Sequence, residues 1–219
     1  QGCTVLNSVL SETEVKKLVT ISEEILLKKS SPQTEFAQHR SGNVWKCKKY
    51  ADSTSNLVID VLGENAEFDQ LMSRIFEHPN IKSLLEMLHG DRYKVTQVNI
   101  RQVLSGDPGL NFHQDTPGET GMSILLKECY DNEGTTVVIK GSHHWPFSIR
   151  ELFVYPRVLV NLISKKWFSG ANGKAGDIFF FINQTWHARP AFKKAGSTSS
   201  ILISIFGSEG EYRIHKMPE

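Results

Sequence analysis

Apolar positions recur at helical spacing in the first part of the chain and alternate in the second. Val15, Leu18, Val19, Ile25 and Leu26 keep to one helical face. They follow Ser11-Glu12-Thr13-Glu14, a hydroxyl residue with a carboxylate three places on. That is a capping box, in which each side chain satisfies the other residue's backbone N–H. It predicts a helix over about 12–28. Residues 30–65 hold Ser/Thr/Asn-rich stretches and no clear period. Within them, Val58-Ile59-Asp60-Val61-Leu62 suits either a short strand or a buried helix. Over 66–89 the helical period returns, with Phe68, Leu71, Met72 and Ile75 in one stripe. Ile81, Leu84, Leu85 and Leu88 form a second, and Gly90 is a natural stop. His78 and His89 lie beside these stripes and read as surface or interface residues.

After Gly90 the period becomes two. From Lys94 to Leu104, one face carries Val95, Gln97, Asn99, Arg101 and Val103. Thr96, Val98, Ile100, Gln102 and Leu104 take the other. Further strands are predicted at Ser123–Lys127, Thr135–Lys140, Val158–Ile163, Ile178–Ile182 and Ser200–Phe206. Turn formers separate them, as in Gly106-Asp107-Pro108-Gly109 and Ala171-Asn172-Gly173. Helices first and many short strands afterwards predict a mainly β fold with some α. The expected form is a double-stranded β-helix, a jelly-roll or cupin-like barrel, with N-terminal helices packed on it. One domain is expected over 1–219, mainly helical in 1–90 and jelly roll in 91–219.

Composition narrows the function more than the fold. The formal net charge is +1, so no strong field favours nucleic acid or an anionic membrane. No apolar run reaches the length of a membrane span, and no basic start leads into an apolar leader. Three widely spaced cysteines, Cys3, Cys47 and Cys129, make neither a disulfide framework nor a CxxC metal site. An intracellular, reducing, cytoplasmic setting is expected. The partners expected are small molecules, and the pattern leaves the oligomeric state open.

The chemistry-bearing residues are His113 and Asp115, two apart at the end of a strand, and His187 after the apolar run Ile178–Ile182. Side chains at i and i+2 of a strand share a face, so His113 and Asp115 can reach one metal. Two imidazoles and one carboxylate on one side of iron leave cis positions open for a chelating co-substrate and oxygen. His143 and His144, in the turn Gly141-Ser142-His143-His144, are weaker rivals for the third position. Asp177, after Gly176 at a strand entry, reads as a turn residue. Trp145 and Trp186 read as packing residues.

Several stretches together resemble the phytanoyl-CoA dioxygenase family of iron- and 2-oxoglutarate-dependent oxygenases. They are Phe112-His113-Gln114-Asp115, Asn132-Glu133-Gly134, and Val137-Val138-Ile139-Lys140-Gly141-Ser142-His143. Ala175-Gly176-Asp177-Ile178-Phe179-Phe180 and Trp186-His187 follow in the family's order. His78-Pro79 through Leu88 into Gly90 is similar to the helix before that family's barrel. The resemblance implies that His113, Asp115 and His187 bind iron(II). It also implies that 2-oxoglutarate is co-substrate and O2 the oxidant. The co-substrate would leave as succinate and carbon dioxide while a small or medium organic substrate is hydroxylated. Related halogenases carry a small residue in place of the carboxylate, so Asp115 implies a non-halogenating oxidation.

One departure stands out. Family members usually hold the far carboxylate of 2-oxoglutarate with an arginine about ten residues beyond the second histidine, where a fork of donors suits a carboxylate. Here that region reads Ala195-Gly196-Ser197-Thr198-Ser199-Ser200. Arg189 is a candidate substitute, or else a surface arginine before Pro190. Arg101 is another if its face lines the barrel. Asn99, on that face, is a candidate for the metal-proximal end of the co-substrate. Lys193, Lys194 and the hydroxyls of 197–200 remain alternatives. Two other readings stay open: a cupin-like metalloenzyme that does not use 2-oxoglutarate, and a non-catalytic jelly-roll binding module.

Overall fold

The computed structural model describes residues 1–29, 31–32, 55–115, 118–130, 134–144 and 167–207. In chain order the elements are β1 (Cys3–Leu6), α1 (Glu12–Lys29), β2 (Ser31–Pro32), β3 (Asn56–Val58), α2 (Ala66–Glu77), α3 (Pro79–His89) and β4 (Tyr93–Leu104). There follow β5 (Leu110–His113), β6 (Glu119–Leu125), β7 (Val137–Ile139), a 3-10 turn (Ser142–His144), β8 (Phe168–Gly170), β9 (Ile178–Ile182), β10 (His187–Arg189) and β11 (Ser197–Gly207). The strand expected at 158–163 lies outside the described residues, as do Cys47, Trp145 and Asn132-Glu133.

The capping box forms at the start of α1. The Ser11 N–H and hydroxyl donate to the Glu14 carboxylate at 2.9 and 2.7 Å, and the Glu14 N–H donates back to Ser11 Oγ at 3.3 Å. Glu14 also pairs with Arg74 of α2 at 2.8 Å. The Ser11 hydrogen bonds, ahead of the Arg74 charge, hold the Glu14 carboxyl below its usual range. The helical stretch at 66–89 is two helices. Pro79 disfavours helical backbone in the residue before it, and His78 is extended at φ −60°, ψ 128°. Proline then opens α3, where no N–H is needed.

The described strands form two antiparallel sheets. The larger runs β1-β9-β6-β11-β4-β3-β2 and the smaller β5-β10-β7-β8. From β4 onward the chain crosses between them repeatedly, and the fold is a jelly roll. Directly opposed residues of an antiparallel pair share a face. One face of the large sheet thus carries Val98, Ile100, Met122, Ile124, Ile178, Phe180, Ile201 and Ile203. It packs beneath Leu18, Ile25, Phe68, Leu71, Ile75, Ile81 and Leu85 of the helices. Each such fully buried side chain contributes about 2 kcal/mol. The other face turns toward the small sheet, where Leu125, Phe179 and Phe181 meet Val138 and Ala171. Its centre is polar: Gln97, Asn99 and Arg101 stand opposite Ser204, Leu202 and Ser200.

The alternation predicted for β4 breaks once. Gln97 pairs with Ser204 but Val95 pairs with Ile205, so Thr96 is an extra residue. The bulge turns Val95 from the inner face into the core beneath the helices. Among the described residues, no helix is long and apolar enough to cross a membrane.

Candidate metal centre

His113 ends β5 and His187 begins β10, and the two are direct partners across that ladder. Their ring centroids are 4.3 Å apart. Asp115 lies beyond the strand end, where its N–H donates to the Asn183 carbonyl at 3.1 Å. Its carboxylate faces both rings, with Oδ2 3.1 Å from His187 Nε2 and Oδ1 3.8 Å from His113 Nε2. One ligand atom from each residue fits within 4.8 Å of the others, and among the described residues this is the one such His/Cys/Asp/Glu group. Both histidines are buried, while the Asp115 side chain stays 41% exposed. The Thr185 carbonyl lies 2.9 Å from His187 Nδ1 and fixes the proton there, which leaves the Nε2 lone pair directed at the group. The donor set therefore suits a divalent ion that takes nitrogen and oxygen together.

The strand carrying His187 is braced from the turn after β7. Ser142 Oγ donates to the Ile139 carbonyl at 2.7 Å and accepts the Trp186 N–H at 2.8 Å. Trp186 is fully buried packing. His143 and His144 stack on one another with centroids 3.8 Å apart and stand outside the triad. Asp177 is the turn residue its setting suggested, accepting the Lys174 N–H at 2.8 Å.

The arginines divide. Arg189 is not a surface residue: its side chain is 2% exposed, against 0% for Asp107, which it meets at 2.9 Å. Its other terminal nitrogen donates to Ser55 Oγ at 2.7 Å, and Ser55 donates on to Asp107 at 2.8 Å. Arg101 is paired in register with Ser200 on the inner face, one cross-strand step from Thr198. Asn99, on the same face, accepts the Asp60 N–H at 3.1 Å. Thr198 Oγ1 and Ser123 Oγ are buried on this face with no hydrogen-bond partner among the described residues. Lys193 and Lys194 are exposed.

A family model, Phytanoyl-CoA dioxygenase (PhyH), matches residues 1–193. The chain belongs to this family. A search of curated proteins returned no match. Among solved structures, HygX from Streptomyces hygroscopicus with nickel and 2-oxoglutarate bound superposes with a TM-score of 0.69 at 11% identity, over 97% of this chain and 85% of that one. EctD from S. alaskensis with bound Fe gives 0.69 at 17% identity, over 98% and 75%. The alpha-ketoglutarate-dependent epimerase SnoN from nogalamycin biosynthesis gives 0.67 at 18% identity, over 97% and 81%. At these identities the likeness is one of fold.

This PhyH-family site also holds residues that the sequence did not single out. Glu119, at the start of β6, is buried on the inner face near the triad. Burial, and then the charge of Asp115, push its carboxyl above the usual range; hydrogen bonds from Ser204 and Asn183 oppose this. A lone glutamate between a turn and a strand gives no signal in sequence. Nor does Asn183, whose backbone holds both Asp115 and Glu119.

Proposed function

We propose that this chain is an iron(II)- and 2-oxoglutarate-dependent oxygenase that hydroxylates a small or medium organic molecule. The observation that carries the reading is the triad, with two imidazole Nε2 atoms turned toward one carboxylate inside a jelly roll. His113, Asp115 and His187 would hold the metal and leave cis positions for the keto-acid end of the co-substrate and for O2. When bound, the metal and co-substrate would activate O2: 2-oxoglutarate would lose carbon dioxide and take up one oxygen atom to become succinate, and the other atom would enter a substrate C–H bond.

This chain's own residues then hold and orient. The inner face of β4 and β11 offers the co-substrate a polar wall. Arg101 supplies the charge for its far carboxylate, with Thr198 and Ser200 hydroxyls beside it where the family arginine would start. The buried hydroxyl of Thr198 supports a polar occupant there, because such groups are seldom left unpaired. Asn99 lies nearer the metal end of the same wall. Arg189 braces the loop at Asp107, since its guanidinium is already bonded to Asp107 and Ser55.

The test is spectroscopic. Anaerobic addition of iron(II) and then 2-oxoglutarate should give a weak visible charge-transfer band, lost in His113→Ala. In Arg101→Met the band should require more than about tenfold more 2-oxoglutarate, the scale of a lost charge-assisted pair. Absence of the band in folded, iron-loaded protein would sink the reading. The lack of the family's arginine in Ala195–Ser200 favours, second, a metal-dependent reaction that needs no 2-oxoglutarate; oxygen uptake independent of it would identify that case. Because SnoN is an epimerase, the product mass decides between oxygen insertion and inversion.

A further inference from the structure

We infer that Glu119 and Asn183 form a receiving site for a positively charged amino group of the substrate. This rests on the oxygenase reading above and names the substrate class for the same site. The small sheet contributes both histidines, and the large sheet faces them across the interior. Glu119 lies at the metal end of that facing wall, because β6 begins there and β11 ends there beside it, with Phe206 opposite Glu119.

The carboxyl is gripped from two sides, by Ser204 and by the Asn183 side chain. With its amide nitrogen turned to Glu119, Asn183 leaves Oδ1 as an acceptor. That atom is buried and has no hydrogen-bond partner among the described residues. It lies 2.7 Å from where a Cβ on Gly121 would stand, so it sits over the inner face two residues along from Glu119. Gly121 is what makes room, since a side chain there would strike both Asn183 and the Phe181 ring. Two acceptors thus lie side by side, and among the described residues no lysine or arginine is paired with Glu119.

A purely structural role fits less well. Glu119 does help to hold Asn183, whose carbonyl anchors the Asp115 N–H. Glutamine would offer Asn183 and Ser204 an acceptor of the same shape without the cost of burying a charge. A carboxylate is useful where charge is to be met. A neutral hydroxyl has one proton to donate, whereas an ammonium group has three and a full charge. The substrate class is therefore an amine, protonated at neutral pH, whose oxidised carbon lies near the amino group.

The test uses cyclohexylammonium and cyclohexanol as probes of matched shape. Each is titrated into the metal-free protein, followed through the Gly121 and Asn183 amides by NMR, and into the anaerobic iron–2-oxoglutarate protein, followed through the visible band. The expected result is at least about tenfold tighter binding of the amine. In Glu119→Gln, which keeps shape and folding, the two probes should bind within about twofold of each other. Equal binding by the wild type, a preference that survives in Glu119→Gln, or no response to the amine overturns the assignment. If no iron–2-oxoglutarate band forms while the metal-free preference holds, the oxygenase reading fails and the amine site stands.

Discussion

His187 can offer Nε2 to a metal only while Nδ1 carries the proton, and the Thr185 carbonyl 2.9 Å away selects that state. The same logic of a fixed partner applies to Arg189. Arg189→Met would strand the Asp107 carboxylate in the interior, and chemical denaturation should show a loss of about 3–5 kcal/mol. Glu119 works in the opposite sense. Its folded-state pKa is raised by burial, so its contribution to stability is full below the ordinary glutamate range and is lost as pH rises through the raised value. Glu119→Gln should therefore melt higher than the wild type at neutral pH. The gap should close as pH falls toward the ordinary carboxylate range, and thermal melts of the metal-free proteins at both pH values check this. A gain in stability alongside a loss of ligand preference is the signature of a residue kept for function. The triad was legible in sequence because its residue types and two-residue spacing carry chemistry. The ion pair of Arg189 was not, because nothing near it in the chain points to Asp107.

At the scale of elements, what decided legibility was length. The period of two is plain in the long β4, and Ile178–Ile182 is found where the apolar run put it. β5, β8 and β10 span 4, 3 and 3 residues, too few to display a period, yet two of them carry the histidines. The strand expected at 123–127 in fact spans Glu119–Leu125, because Glu119, Thr120 and Gly121 carry no apolar side chains that would display a period. A short strand needs support from outside itself, and for β10 that support is Ser142. Ser142→Ala leaves the buried Trp186 N–H unpaired, at a cost of about 1–3 kcal/mol. Because His187 is the next residue, iron affinity should fall by about tenfold as well. Denaturation and a competitive metal titration measure the two effects separately. Loss of stability with unchanged iron binding would show that the brace does not reach the site.

For the whole molecule, the broad division into a helix-rich first part and a strand-rich second part was readable, and so was the jelly roll that it implies; the opening strand β1 was not. The sheet order was not, because the pairings join residues far apart, as Cys3 with Phe181 and Asn99 with Leu202. β11 stands between β6 and β4 in the large sheet, although it is the last described strand of the chain. A chain stopped after Gly196 should leave two half-sheets with open apolar edges, and it should be recovered as aggregate. A soluble monomer with native circular dichroism would contradict this. The position of β11 also sets a timetable for synthesis on the ribosome. Every described helix, and every described strand of both sheets but one, is made before the central seam exists, and the nascent chain must wait with that seam open. The wall that faces the triad is half built from β11. A newly made molecule thus completes the wall that faces the triad only once β11 has been made, after every other described element.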